Sequence, residues 1–310
     1  MITSIFSKSK PINYLFALVI ATVAFVIAML RYSQYSHDAI DVMPLMKHIG
    51  LFLVSYASLL LLSFMVIKNN LSKKNNYDVL FYSVFLLILP QSMLHTKVVL
   101  SNFFILLALR RLLSVRSQID LKKKLFDSAL WIAVAALFHP WALLFFPLIF
   151  VALVLHSDNR LRHWIIPFTG LAAVYVLYLT YVSLQSGFWE KFLPFTLDAD
   201  FDFTHYNTFQ FIVSITILLS FGMWALLFYL VNITKKKRGV KPSFKTVAFA
   251  MLLALAIALV SPNKDGGEWL FLFAPLSIVM ANYIESIKDH WFKEVFVGVL
   301  LLTPFIVLML

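Results

Sequence analysis

Cysteine is absent from this 310-residue chain, so disulfides, thiolate nucleophiles and Cys-ligated metals are excluded from its chemistry. Charge is scarce too: Asp, Glu, Lys and Arg make up 13% of residues against 61% hydrophobic ones, at a mean hydropathy of +0.87. Apolar runs of about 16 to 24 residues follow one another along the chain and leave too little polar surface for a water-soluble fold. Neither a His-Glu-x-x-His nor a Gly-x-Ser-x-Gly motif occurs, which removes support for protease and hydrolase chemistry. There is no soluble domain, low-complexity tract or twofold repeat to read, and the last absence disfavours a transporter. The first apolar run, Tyr14 to Leu30, lacks a small-residue cleavage site and is expected to be retained as a signal-anchor span.

What remains is an all-α, polytopic transmembrane bundle. Set against the roughly 20 residues that a helix needs to cross a bilayer, the apolar runs predict about eleven spans. These begin near Asn13, His48, Val79, Lys97, Phe126, Pro140, Trp164, Thr208, Thr246, Trp269 and Lys293. They form one integral membrane domain over 1–310, with seven spans in 1–184, an aromatic and acidic outer loop at 185–207, and four spans in 208–310. Lys and Arg crowd into every second gap, which holds 21 of the 26 basic residues. The positive-inside rule then places the N-terminus in the cytoplasm and the C-terminus outside, in a bacterial cytoplasmic (inner) membrane. This asymmetry accounts for the net charge of +11 without nucleic acid, because basic cytoplasmic loops lie against anionic lipid headgroups. Pro90 and Pro140, each close to a histidine, are expected to end helices at tight turns.

Three outer segments carry the candidate chemistry. Arg31 to Lys47 contains Asp38 and Asp41 at i,i+3; a helical segment would put both on one face, as a general base and its neighbour or as ligands of a divalent cation. A solvated loop whose acids follow the charge asymmetry also accounts for them, and an Asp-x-x-Asp pair alone does not exclude it. Gln185 to Asn207 alternates aromatic with charged residues and predicts an interfacial helix over Gly187 to Phe195. It continues into an acidic stretch, Asp198, Asp200 and Asp202, whose carboxylates share one side if the chain is extended. That stretch is either a metal or substrate site or a wet loop resting on the membrane. Ser261 to Trp269 joins two strongly apolar spans, and its Lys264, Asp265 and Glu268 are placed to meet an anionic headgroup or a sugar. Turn chemistry alone also explains its Pro and Gly residues.

In layout the chain resembles the GT-C membrane glycosyltransferases, with acids in the first outer loop, short spans joined by tight turns, and a large aromatic loop after the seventh span. Locally, Leu89 to Leu109 is similar to the family's Pro-containing turn into the fourth span. Ala136-Leu-Phe-His-Pro-Trp-Ala142 is similar to the turn after its fifth, and Lys264 to Pro275 to its late charged turn. The resemblance implies a polyprenyl-phosphate sugar donor used at the outer leaflet. It implies Asp38 or Asp41 as catalytic base, and Lys47, His95, Lys97, His139 and Lys264 as the positions for the lipid phosphate. The family's acidic residue at the opening of the fourth span is replaced here by Ser101 and Asn102, and the first loop is shorter. The opening, Met1 to Asn13, is also similar to that of a Bacteroidota membrane-protein family, which implies no function of its own. The alternative is a non-catalytic scaffold whose outer loops bind envelope proteins.

Overall fold

The computed structural model describes residues 2–35, 42–156, 160–184, 197–262 and 264–309. Among the described residues there are helices and no strands. A short N-terminal helix α1 (Ile2–Phe6) leads into α2 (Pro11–Tyr35), α3 (Val42–Asn69) and α4 (Tyr77–Ile88). Then come α5 (Thr96–Ser114), α6 (Leu121–Phe138), α7 (Pro147–Leu155) and α8 (Leu161–Ser183). The chain closes with α9 (Phe209–Ile233), α10 (Lys241–Val260), α11 (Leu270–Ser286) and α12 (His290–Met309). Each expected span start falls at or near the start of one of α2 to α12, the sixth on a 3₁₀ segment, Pro140–Phe145, that leads into α7. Among the described residues eight helices, namely α2, α3, α5, α8, α9, α10, α11 and α12, are long and apolar enough to cross a membrane. The 12-residue α4 rises only about 18 Å at 1.5 Å per residue, short of a hydrocarbon core of about 30 Å.

The helix breaks sit where proline forbids continuation. Leu89, before Pro90, takes φ −124°, ψ 70°, and His139, before Pro140, takes φ −137°, ψ 105°. Both lie outside the helical region, as the ring of a following proline requires. Each break leaves a histidine at a helix end: His95 precedes α5 and His139 follows α6.

Burial divides the bundle into centre and periphery. All of α4 and nearly all of α11 are buried, and the two pack together with α2, α3, α9 and α10 around them. On α2, Ala17, Ala21, Ala24 and Ala28 are buried at helical spacing, while Leu15, Val19, Val23 and Val26 on other faces are exposed. Small residues let backbones approach closely where lipid supplies no hydrophobic drive between helices. Gly170 shows the same device between α8 and α6, since a Cβ there would lie 2.8 Å from the Phe126 carbonyl oxygen.

Turns from alternate gaps meet one another. At one end the Ser9 N–H donates to Lys74 O, Arg116 to Asn69 O, and the Asn282 amide to Leu71 O. At the other end, His95 meets Asp265, His139 meets Ser261, and the Asp200 N–H donates to Val260 O.

Candidate functional site

The second of these ends encloses a cavity of about 1150 Å³. Four segments far apart in sequence line it: Met46 to His48 on α3, Leu94 to Val98 entering α5, Phe138 to Pro140 after α6, and parts of the α10–α11 turn. Lys47, His95, Lys97 and His139, four of the five positions expected to face a lipid phosphate, therefore share one space.

Lys47 and Lys97 are exposed at its rim, and neither ammonium has a hydrogen bond or ion pair among the described residues. Lys97 lies in the first turn of α5, whose preceding residue, His95, makes no side-chain cap. The first amides of α5 therefore keep donors free beside two cations, an arrangement that favours a negative group.

The α10–α11 turn supplies the facing wall. His95 Nδ1 lies 3.0 Å from Asp265 Oδ2, and the other oxygen of Asp265 accepts from the Gly267 N–H at 3.0 Å. Gly266 adopts φ +88°, and Gly267 packs under the His95 ring, where a Cβ would lie 3.0 Å from Cδ2. The His139 Nε2 is 3.2 Å from the buried Ser261 hydroxyl, and its ring leans on Phe271. Burial pushes the His139 imidazole down to about 4, so it is neutral at pH 7 and serves as a hydrogen-bonding group, not a cation.

At the base of the cavity lies Glu268, only 1% exposed. Its Oε1 has no hydrogen-bond partner among the described residues. A buried carboxylate oxygen with no donor is costly, and here it borders the space that a ligand would fill. The sequence placed Glu268 with Lys264 and Asp265 to meet an anionic headgroup or a sugar and gave it no catalytic role. The legible signal was an acid placed directly after Gly266-Gly267, at the start of an apolar span.

Lys264 departs from expectation. Its ammonium is buried and donates to Leu259 O at 2.7 Å and Ala258 O at 3.2 Å, two of the last carbonyls of α10, while lying 4.9 Å from the Phe203 ring centroid. It neutralises a helix C-terminus and is not among the residues that line the cavity. Burial lowers its pKa, and Asp200 partly offsets this.

Asp198, Asp200 and Asp202 do not converge, and among the described residues no group of three His, Asp or Glu side chains is arranged to hold a metal. Asp200 accepts from the Asp202 N–H at 2.8 Å and Asp202 from the Thr204 N–H at 2.9 Å, so each carboxylate closes a local turn. The segment is moored to the bundle: Trp141 donates to Asp198 O at 3.1 Å, and Trp269 to the Tyr206 hydroxyl at 3.0 Å. The expected interfacial helix at 187–195 and the acids Asp38 and Asp41 lie outside the described residues. Ser101 and Asn102 knit helices together, the first donating to Ala135 O at 2.9 Å and the second to the Tyr82 hydroxyl at 3.5 Å.

A family model described as "Family of unknown function (DUF6427)" matches residues 1–309, and the chain belongs to that family. No curated protein and no solved structure matches it.

Proposed function

We propose that this member of the DUF6427 family is a multi-pass protein of a bacterial cytoplasmic membrane, with its N-terminus inside, which binds a polyprenyl-phosphate-linked sugar at the outer leaflet and transfers the sugar in the manner of a GT-C glycosyltransferase. The observation that carries the reading is the gathering of Lys47, His95, Lys97 and His139 around one cavity from separate segments. An apolar groove of about 320 Å³ between α6 and α8, lined by Ala136, Leu137 and Leu143, begins one residue along the chain from the cavity's Phe138 and suits a lipid tail.

In the proposed step Asp38 or Asp41 removes the proton from an acceptor hydroxyl. The oxygen attacks the anomeric carbon, the bond to the lipid phosphate breaks, and the electron pair leaves on the phosphate oxygen. Lys47, Lys97 and the first amides of α5 stabilise that developing charge. A divalent cation held by Asp198, Asp200 and Asp202 would need those side chains to rearrange.

The test is undecaprenyl phosphate binding to the purified chain in neutral nanodiscs. Binding should weaken about tenfold or more in Lys47→Ala/Lys97→Ala at unchanged thermal stability, since a charged hydrogen bond contributes about 1.5 to 3 kcal/mol. In deletion complementation, Asp38→Asn and Asp41→Asn should lose function at normal protein level. No preference for the phosphorylated lipid over the free alcohol would overturn the reading and leave the envelope-protein scaffold in its place.

A further inference from the structure

The opposite end of the bundle holds a second cavity, of about 180 Å³, where α9 ends, α10 begins and α11 ends. Lys73, Lys235 and Lys236 line it together with Asn232 and Glu285. Three lysines thus line a space that holds one carboxylate, and of these Lys236 and Lys73 lie near enough to Glu285 for their charges to act on it. That carboxylate is already engaged, since it accepts from the Lys73 N–H at 2.8 Å and the Asn75 amide at 2.6 Å. Lys236 is held in place by a hydrogen bond to Asn282 Oδ1 at 3.3 Å and by the Phe244 ring, whose centroid is 4.6 Å away. The Lys73 and Lys235 ammonium groups make no hydrogen bond or salt bridge among the described residues. Like charges converging on a small space with too little counter-charge repel one another until an anion joins them.

A neighbouring groove indicates which anion. Phe221, Trp224, Phe228 and Asn232 recur every three or four residues and so share one face of α9. Asn232 belongs to the lysine pocket, whereas Phe221 and Trp224 line an apolar groove of about 300 Å³ against Phe292, Phe296 and Val299 of α12. From Asn232 back to Phe221 the helix rises about 16 Å, a distance that an acyl chain covers. The Trp224 indole is fixed by its donation to the Tyr283 hydroxyl at 2.6 Å, so this wall of the groove is pre-formed.

We infer that this end of the bundle seats an anionic phospholipid, with its headgroup phosphate among Lys73, Lys235 and Lys236 and one acyl chain in the groove between α9 and α12. The site is separate from the outer cavity and does not depend on a transferase activity. Charge asymmetry assigns its lysines to the cytoplasmic side, where anionic lipids meet basic pockets between helices.

The experiment takes the full chain, delipidated in neutral detergent. It adds dioleoyl phosphatidylglycerol, dioleoyl phosphatidylcholine or inorganic phosphate, reading the unfolding midpoint and the lipid retained in native mass spectrometry. Phosphatidylglycerol should raise the midpoint and stay bound, while the other two should do neither. Lys73→Gln/Lys235→Gln should weaken phosphatidylglycerol by about fivefold per lysine removed. Ser220→Trp, which fills the groove, should abolish retention with the lysines intact. Equal retention of the two lipids by the unaltered chain would overturn the inference. So would a full shift from inorganic phosphate alone, or unchanged affinity in both variants.

Discussion

His95, immediately ahead of α5, and Asp265, in the turn between α10 and α11, are separated by 170 positions in the chain, yet their side chains stand 3.0 Å apart where both line the cavity of about 1150 Å³. The contact clamps two of the four segments that enclose that space. Both side chains are partly exposed, so solvent screens the pair and its own contribution is small, about 0.2 to 1 kcal/mol. Asp265→Ala should destabilise the chain by about 1 to 2 kcal/mol, because the Gly267 N–H loses its acceptor as well. A double-mutant cycle with His95→Ala, read by thermal unfolding, should return a coupling below about 1 kcal/mol. A much larger value would mean that the pair is far better shielded than its exposure suggests.

Gly266 is a position that only glycine suits. With φ at +88° and a Cβ that would lie 2.7 Å from Phe211 Cε1, Gly266→Ala should cost about 1 to 2 kcal/mol from the backbone alone, and more from the contact. Gly239, where a Cβ meets nothing within 4 Å, is the control and should stay within about 0.5 kcal/mol on the same change. Equal midpoints for the two variants would contradict the turn geometry.

Lysines at the same end of the bundle should separate by role. Lys264→Met removes the cation that caps α10 and should cost about 1 to 3 kcal/mol while leaving undecaprenyl phosphate affinity nearly unchanged. Lys97→Ala should do the reverse, because Lys97 is exposed and unpaired among the described residues. The comparison needs both readouts on both variants, and a swapped result would place Lys264 in the site after all.

His139 predicts a pH dependence of definite sign. Its imidazole is pushed down to about 4 by burial, below the ordinary 6.5, so the unfolded chain binds the proton first. Its neutral form contributes fully above pH 6.5, and that contribution falls away as pH drops through 6.5 toward 4, by a few kcal/mol at most. Unfolding midpoints of His139→Gln should therefore decline less over this window than those of the unaltered chain. Parallel curves would rule the effect out.

Single cysteines introduced into this Cys-free chain test the orientation. Thiols at Asp120 or Lys237 should react with an impermeant maleimide only after the membrane is opened, and thiols at Asp200 or Asp265 before. Labelling of the Asp120 and Asp200 replacements from the same side would break the proposed alternation.

Much of the architecture was legible because its causes are local. Hydropathy over some 20 residues determines where helices run, as it did near each of α2 to α12, and a proline determines where one stops, as at Leu89 and His139. The alternation of Lys and Arg between gaps sorted Lys47, His95, Lys97 and His139 to one end before any contact between them was visible. Roles were another matter. Lys264 sits between the same kinds of neighbour as a free surface lysine, and only the approach of the α10 carbonyls and of Phe203 turned its ammonium away from the cavity. Glu268 reads as one more turn acid until α5, α10, α11 and the turn at Pro90–Met93 pack around it and leave one of its oxygens without a donor among the described residues. Burial, and with it the partner that each charge keeps or lacks, is a property of segments that meet from distant parts of the chain, so tertiary structure alone decided which charged groups the fold consumes and which it leaves for a ligand.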